Sequence, residues 1–348
     1  MAEEEKKTSL IGPLIYLAVV VIIILFVLTN LPFFSNILSG GLGGQSGSTT
    51  TLSQNSTGNS STVISYPSNY DALVAYTLNM INTNRTASGL QNVTLSPIQS
   101  GQQHADSMLQ NGYFSHWDTQ GYKPYMRYTV LGGLGYVEEN VAYEATSLPS
   151  FQSLSSQENA LNELQYSMMY NDSACCNNGH RDNILNPLHN RVSIGVAYDS
   201  THVYFVEDFE NYYISLNTPI LNGNTTRVTL SGAPSIAMNP GSVLIFYDPT
   251  PANLSPSTLN SQYDRAYDQG TFLGGVLPPC NSFLGCCPVF QGYATDYAST
   301  WSVNSTSVDI VFSMSKFATQ SGVYTIYLTQ GSGSSAKYYT SISLFIST

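Results

Sequence analysis

Residues 177–209 read NNGHRDNILNPLHNRVSIGVAYDSTHVYFVEDF, a histidine in a polar turn followed by two runs of alternating apolar side chains. The runs "RVSIGVAYD" and "HVYFVEDF", joined through "STH", predict a β-hairpin, because a period of two places one side-chain set on each face of a sheet. Upstream, the apolar period changes to that of a helix. Residues 68–89 start with a Ser-x-x-Asp capping pattern and put Leu73, Tyr76, Met80 and Ile81 on one face. A second helix is expected from Ser96 as N-cap and Pro97 at the first helical position, with Ile98, Ala105, Met108 and Leu109 inward and Gly112 as stop. A third covers 157–170 through Ala160, Leu161, Leu164 and Met168. Helices first and strands last predict an α+β domain over residues 67–213.

Beyond Thr218 the texture becomes short β-like runs, "TRVTLSG", "GSVLIFYD", "SVDIVFSMS", "GVYTIYLTQG" and "YYTSISLFIST", separated by Gly, Pro and Asn turns. They predict an all-β, sandwich-like domain over residues 218–348. It contains no histidine, so it is expected to serve in adhesion or packing rather than catalysis. Two domains also suit a chain of 348 residues, because single cores stop growing near about 250–300.

Only 9% of residues are charged, and much of the polarity comes from Ser, Thr, Asn, Gly and 25 tyrosines, a surface that suits an extracellular setting. Past the first nine residues, nine Lys and Arg face nineteen Asp and Glu, which argues against a nucleic-acid partner. Residues 11–28, "IGPLIYLAVVVIIILFVL", carry no charge over 18 positions. That is long enough to cross a bilayer, and it lacks the small-residue cleavage site of a signal peptide. A transmembrane signal-anchor over residues 10–31 is therefore expected. Lys6 and Lys7 place the nine N-terminal residues in the cytoplasm and the remainder outside, as a single-pass protein of the cell membrane. Residues 32–66 read as a Gly/Ser/Thr/Asn-rich linker. N-x-S/T sequons at Asn55, Asn59, Asn84, Asn92, Asn171, Asn224 and Asn304 are glycosylation candidates in an exported chain.

The reactive groups of the first domain gather in "GYFSHWD" with His116, "EENVAYE" with Glu139, and "NNGHRDNILNP" with His180; "FVEDF" adds Glu207. Two neutral imidazoles can bind Zn²⁺ or another divalent ion, and carboxylates can hold or deprotonate a metal-bound water. His116 and His180 are thus the metal-ligand candidates, Glu139 and Glu207 the catalytic ones. Each has a plainer reading: a histidine bonded in a buried turn, a glutamate tying down the "EEN" segment, a solvated strand face for Glu207. His104, beside Gln103 and Asp106, reads as a surface helix position, and His189 and His202 as loop residues.

These blocks, with "MINTNRTASGLQNVTLSP", "QQHADSMLQNGYFSHWDTQGYKPYMRY" and "YFVEDFEN", resemble in order the signature segments of the CAP superfamily, also called SCP/PR-1-like. The likeness spans about residues 69–211 and is closest to short prokaryotic exported members. It implies an α-β-α sandwich with a central cleft lined by two histidines and two acids, often holding a divalent metal. His116 matches the first histidine, Glu139 the glutamate of the G-E-N block, and His180 the second histidine. Two positions depart from the pattern. The glycine before the glutamate is Glu138, and the helix acid of many eukaryotic members falls near Met168, so the second carboxylate is either Glu207 or Asp172.

Five cysteines, Cys175, Cys176, Cys280, Cys286 and Cys287, are expected to oxidise outside the cell. Adjacent cysteines bridge one another with difficulty, so longer links are expected, with "CNSFLGCC" either pinned to the Cys175–Cys176 loop or closing a loop of its own. The resulting expectation is a cell-surface binding or envelope module for a small lipid-like or glycan ligand. The alternatives are a metal-assisted hydrolase of peptidase type and a structural or adhesion protein with a vestigial cleft. The sequence does not specify an oligomeric state.

Overall fold

The computed structural model describes residues 69–217, 227–263, 266–281, 287–331 and 335–347. The expected membrane span and linker, sequons Asn55, Asn59 and Asn224, and Cys286 lie outside the described residues. No helix among the described residues is long and apolar enough to cross a membrane.

Helix α1 spans Tyr70–Ala87 and β1 is the two-residue strand Thr94–Leu95. Then come α2 (Ser100–Asn111), α3 (Pro124–Val130), β2 (Tyr136–Ala145), α4 (Leu154–Tyr170), α5 (Ser173–Cys176) and α6 (Gly179–Ile184). The hairpin read from the sequence is β3 (Arg191–Tyr198) and β4 (His202–Asn211), paired antiparallel. The four strands form one sheet in the order β1-β3-β4-β2.

Period-two alternation divides this sheet between two cores. Val192, Ile194, Val196, Val203, Phe205 and Phe209 pack with Leu73 and Ile81 of α1 and with Ala160 and Leu161 of α4. Tyr204, Val206, Ala197 and Val141 pack on the other face with Ala105 and Met108 of α2. The result is a three-layer α-β-α arrangement. Helix α2 lies so close to β3 that a Cβ on Gly195 would overlap the carbonyl oxygen of Gly101, so both positions require glycine.

The helix starts were read less well than the stops. The first turn of α2 begins at Ser100, because the Ser96 hydroxyl accepts the N–H of Ile98 in a local turn ahead of the helix. Gly112 ends α2 in the left-handed region, at φ 67°, as the sequence suggested. Helix α4 starts three residues before Gln157, under a capping box between Ser153 and Ser156.

The remaining strands are β5 (Ile214–Leu216), β6 (Arg227–Pro234), β7 (Ser242–Asp248), β8 (Thr271–Leu277), β9 (Ala294–Tyr297), β10 (Thr300–Val303), β11 (Val308–Ser313), β12 (Gly322–Gln330), β13 (Lys337–Tyr338) and β14 (Ile342–Ile346). Helix α7 (Pro256–Gln262) lies between β7 and β8, and Ser255 caps it by accepting the N–H of Thr258. One sheet runs β10-β11-β6-β5; the other runs β13-β12-β7-β8-β9, with β14 also on β12. Leu230, Ile310 and Phe312 of the first sheet and Ile245, Ile326 and Leu344 of the second share one core, which makes a two-sheet sandwich. Strand β5 pairs with β6, so the second unit begins before Thr218.

The two units are joined by polar contacts around the buried Lys123 and Tyr125. Lys123 donates to Asp248 at 2.7 Å and to Asp268 at 2.5 Å, and the Tyr125 hydroxyl donates to the other oxygen of Asp248 at 2.7 Å. Tyr125, Met126, Tyr128 and Val137 form a small core with Val323 of β12. The β-rich unit is thus built into the first rather than tethered beside it.

Candidate functional site

Strand β2 forms the edge of the first sheet, and its residues 136–143 line an open cleft of about 1030 Å³. Phe114 and His116 line it from the loop after α2, and Leu164, Met168, Asp172, Cys175, Cys176 and His180 from α4–α6. Ala266, Tyr267, Asp268, Gln269 and Tyr327 line it from the second unit. His116, Glu139 and His180, far apart in sequence, therefore share one cavity. Glu207 is not among its lining residues.

The wall carrying His116 is built on Glu139. Oε1 of Glu139 meets Nδ1 of His116 at 2.9 Å, and Oε2 meets Nδ1 of His104 at 2.8 Å and NH2 of Arg127 at 2.5 Å. The Arg127 NH1 group donates to the carbonyls of His116 and Tyr122, at 2.8 and 2.9 Å, fixing the turn that carries the histidine. Burial by itself would raise the Glu139 carboxyl, but the Arg127 charge and the bonds from His104 and His116 hold it well below the ordinary carboxylate range. The His104 pKa is lowered too, by burial and the neighbouring Arg127 charge, against the pull of Glu139. From the second unit, the Tyr267 hydroxyl accepts the backbone N–H of Glu139 at 3.0 Å, and its ring lies 4.9 Å from that of His116.

The wall carrying His180 is built on Asp172. Oδ1 meets the His180 Nδ1 at 2.7 Å, and Oδ2 accepts the backbone N–H groups of His180 and Arg181 at 2.9 and 3.2 Å. In both walls a buried carboxylate engages Nδ1, which leaves Nε2 as the ring nitrogen available to a ligand. Of the two candidates for the second carboxylate, Asp172 is therefore the one in contact with a cleft histidine.

Glu207 points the opposite way from a solvated strand face. It is fully buried, with Oε2 accepting from Asn140 Nδ2 at 3.0 Å, and burial pushes its carboxyl up to about 8 against the opposing effect of that bond. Asn140 in turn accepts from Asn183, whose Oδ1 meets Nε2 of His189 at 2.8 Å. This chain of amides fastens the loop after α6 to the sheet. His189 lies in a loop, as expected, but is buried there, while His202 opens β4 and is half-buried beside Asp199.

Several site residues escaped the sequence reading. His104 is fully buried rather than on the surface. Its place three residues after Gly101 and four before Met108, on the inward stripe of α2, was the signal available. Arg127 and Tyr267 had none, since their roles depend on distant elements meeting. The cysteines correct another expectation. Cys175 and Cys176 are bonded to each other, with Cα atoms 3.8 Å apart, and Cys280 pairs with Cys287, so "CNSFLGCC" closes its own loop.

The family model described as Cysteine-rich secretory protein family (CAP) matches residues 78–214. Two solved structures are similar. One is an extracellular protein containing a SCP domain from Bacillus anthracis str. Ames, 21% identical over 40% of this chain and 41% of that one, with a TM-score of 0.31. The other is the CAP domain of Enterococcal PrgA, 13% identical over 42% of this chain and 63% of that one, with a TM-score of 0.29. The chain thus spans less than two thirds of either. Comparison with curated proteins gave no match.

Proposed function

Residues 78–214 form a CAP domain, and from that premise we propose that the protein is a binding module of the cell surface whose cleft takes a small lipid-like ligand. The observation that carries this reading is the lining of the cleft. Phe114, Tyr125, Val137, Leu164, Met168 and Tyr267 supply apolar and aromatic surface, beside polar groups from the two histidine walls, from Asn140 and Asn183, and from Asp268 and Gln269 of the second unit. A volume of about 1030 Å³ suits a small ligand held mainly by apolar burial and oriented by a few polar contacts. The uncharged segment 11–28 would hold the module at the membrane, and two disulfides suit the oxidising side of it.

The test is fluorescence titration of the full chain, kept soluble in amphipol, with a fluorescent fatty acid, alongside calorimetry with a soluble β-glucan oligosaccharide. Saturable fatty-acid binding that weakens at least about tenfold in Leu164→Glu and Tyr267→Ala supports the reading, since each change costs about 1.4 kcal/mol or more of contact. Oligosaccharide binding alone moves the ligand to the glycan class. Saturation by neither removes the proposal.

A second reading, a metal-assisted hydrolase, draws on the two histidine walls. The donor chemistry fits Zn²⁺ or another divalent ion held by His116 and His180, with Glu139 and Asp172 orienting the rings. Such an ion would polarise an oxygen of a bound ligand. A general base is harder to find: Glu139 is already engaged by His104, His116 and Arg127, and Glu207 does not line the cleft. Calorimetric titration with Zn²⁺, compared with His116→Ala, is the check; no heat of binding in the wild type would dismiss the two-imidazole site.

A further inference from the structure

The nine residues from Asp172 to His180, DSACCNNGH, hold a second constellation on the cleft wall. One ligand-type atom from each of Asp172, Cys175, Cys176 and His180 lies within 4.8 Å of all the others, a grouping that does not include His116 or Glu139. The convergence is local. Helix α5 makes a single turn, Asn177 and Asn178 reverse the chain with φ of 51° and 65°, and α6 brings His180 back onto Asp172. The Cys175 sulfur lies 3.6 Å from the Asp172 backbone carbonyl and 3.6 Å from its Oδ1. Both cysteines line the cleft, so a reagent that enters it meets the bond between them.

We propose that Asp172, Cys175, Cys176 and His180 form a redox-gated site for a soft divalent cation, closed while the two sulfurs are bonded to each other and open once they are separated. The thiolate, not the disulfide, is the metal-binding form of cysteine. A dithiol reductant opens the site by thiol–disulfide exchange: the Cys175–Cys176 bond breaks, and the reductant gives up two electrons and two protons. Its own sulfurs become joined, and the chain gains two thiols. An entering cation then releases those two protons to solvent and meets two sulfurs, an imidazole nitrogen and a carboxylate oxygen. Two thiolates favour Zn²⁺ or Cd²⁺ over Mg²⁺ or Ca²⁺. Tetrahedral Zn²⁺, with bonds of about 2.0–2.3 Å, needs ligand atoms roughly 3.3–3.8 Å apart, which a cluster already this compact reaches by side-chain rotation. The site shares His180 and its partner Asp172 with the two-imidazole site, but neither His116 nor Glu139, and does not depend on the lipid reading.

The experiment is Cd²⁺ titration of the purified full chain carrying Cys280→Ser, Cys286→Ser and Cys287→Ser, followed by the ultraviolet thiolate-to-cadmium charge-transfer band. After anaerobic reduction and removal of the dithiol, one Cd²⁺ per chain is expected, with no band in the oxidised protein. The band disappears with Cys175→Ser/Cys176→Ser added, and affinity falls about 10–100-fold with Asp172→Asn or His180→Ala. It is unchanged with His116→Ala. Should the triple-serine background fail to fold, wild type and Cys175→Ser carry the same comparison. Equal binding by the oxidised form, a band that survives loss of both cysteines, or a His116→Ala loss matching that of His180→Ala would overturn the proposal.

Discussion

Replacing Glu207 with glutamine isolates the electrostatics of the central strand. The side chain is fully buried in β4, where Oε2 accepts from Asn140. Burial pushes the carboxyl from 4.5 up to about 8, with the bonds of Asn140 and Gln165 opposing. An acid raised in this way keeps a proton that the unfolded chain releases, so the native state binds more protons between about pH 4.5 and 8. Stability therefore falls as pH rises through that window, by at most ~5 kcal/mol for this one group. Glutamine keeps the shape and the oxygen that Asn140 bonds, and it cannot ionise. Urea unfolding of wild type and Glu207→Gln at pH 5 and pH 9 measures the difference. The two proteins should agree within ~1 kcal/mol at pH 5, and the variant should be more stable by ~2–5 kcal/mol at pH 9. Parallel stability curves across the window would show that Glu207 ionises no differently in the folded chain. Glu139 has the opposite sign: its lowered pKa gives stability that is present above about pH 4.5 and lost as pH falls through its folded value.

Two further substitutions probe the scaffold of the site. Arg127→Met leaves the buried Glu139 carboxylate without its strongest partner and should cost ~3–5 kcal/mol in chemical denaturation; a loss under ~1 kcal/mol would mean that the two histidines alone compensate the charge. Gly195→Ala drives a methyl group into the Gly101 carbonyl and should cost at least ~2 kcal/mol, with a lower melting temperature. A neutral result there would require α2 to slide away from β3 without penalty.

The hairpin, the helix faces and the stop at Gly112 were legible because each depends on neighbours a few residues away: apolar period, turn residues and a left-handed cap. Strands β8 to β10 were not. Gly274 and Gly275 interrupt the alternation of β8, while β9 and β10 are four residues each, too short for a period to register. His116, Glu139 and His180 could be singled out from residue type and block order, and they do line one cleft. The sequence could not say which carboxylate meets which ring.

That choice belongs to tertiary structure. Asp172 reaches His180 because a turn folds nine residues back on themselves, whereas Glu139 reaches His104, His116 and Arg127 only when α2, the following loop, α3 and β2 pack together. Glu207 and Glu139 are both strand acids in polar-looking segments, yet one is pushed up by burial and the other held down by a buried guanidinium. Strand alternation tells that neighbouring residues face opposite ways; what waits on each side is set by the helices and by the second unit. The sequence therefore determined the elements and the cast of reactive side chains. Their pairing, their protonation and the Tyr267 contribution from the second unit were decided by packing, because burial and charge partners are properties of the assembled core.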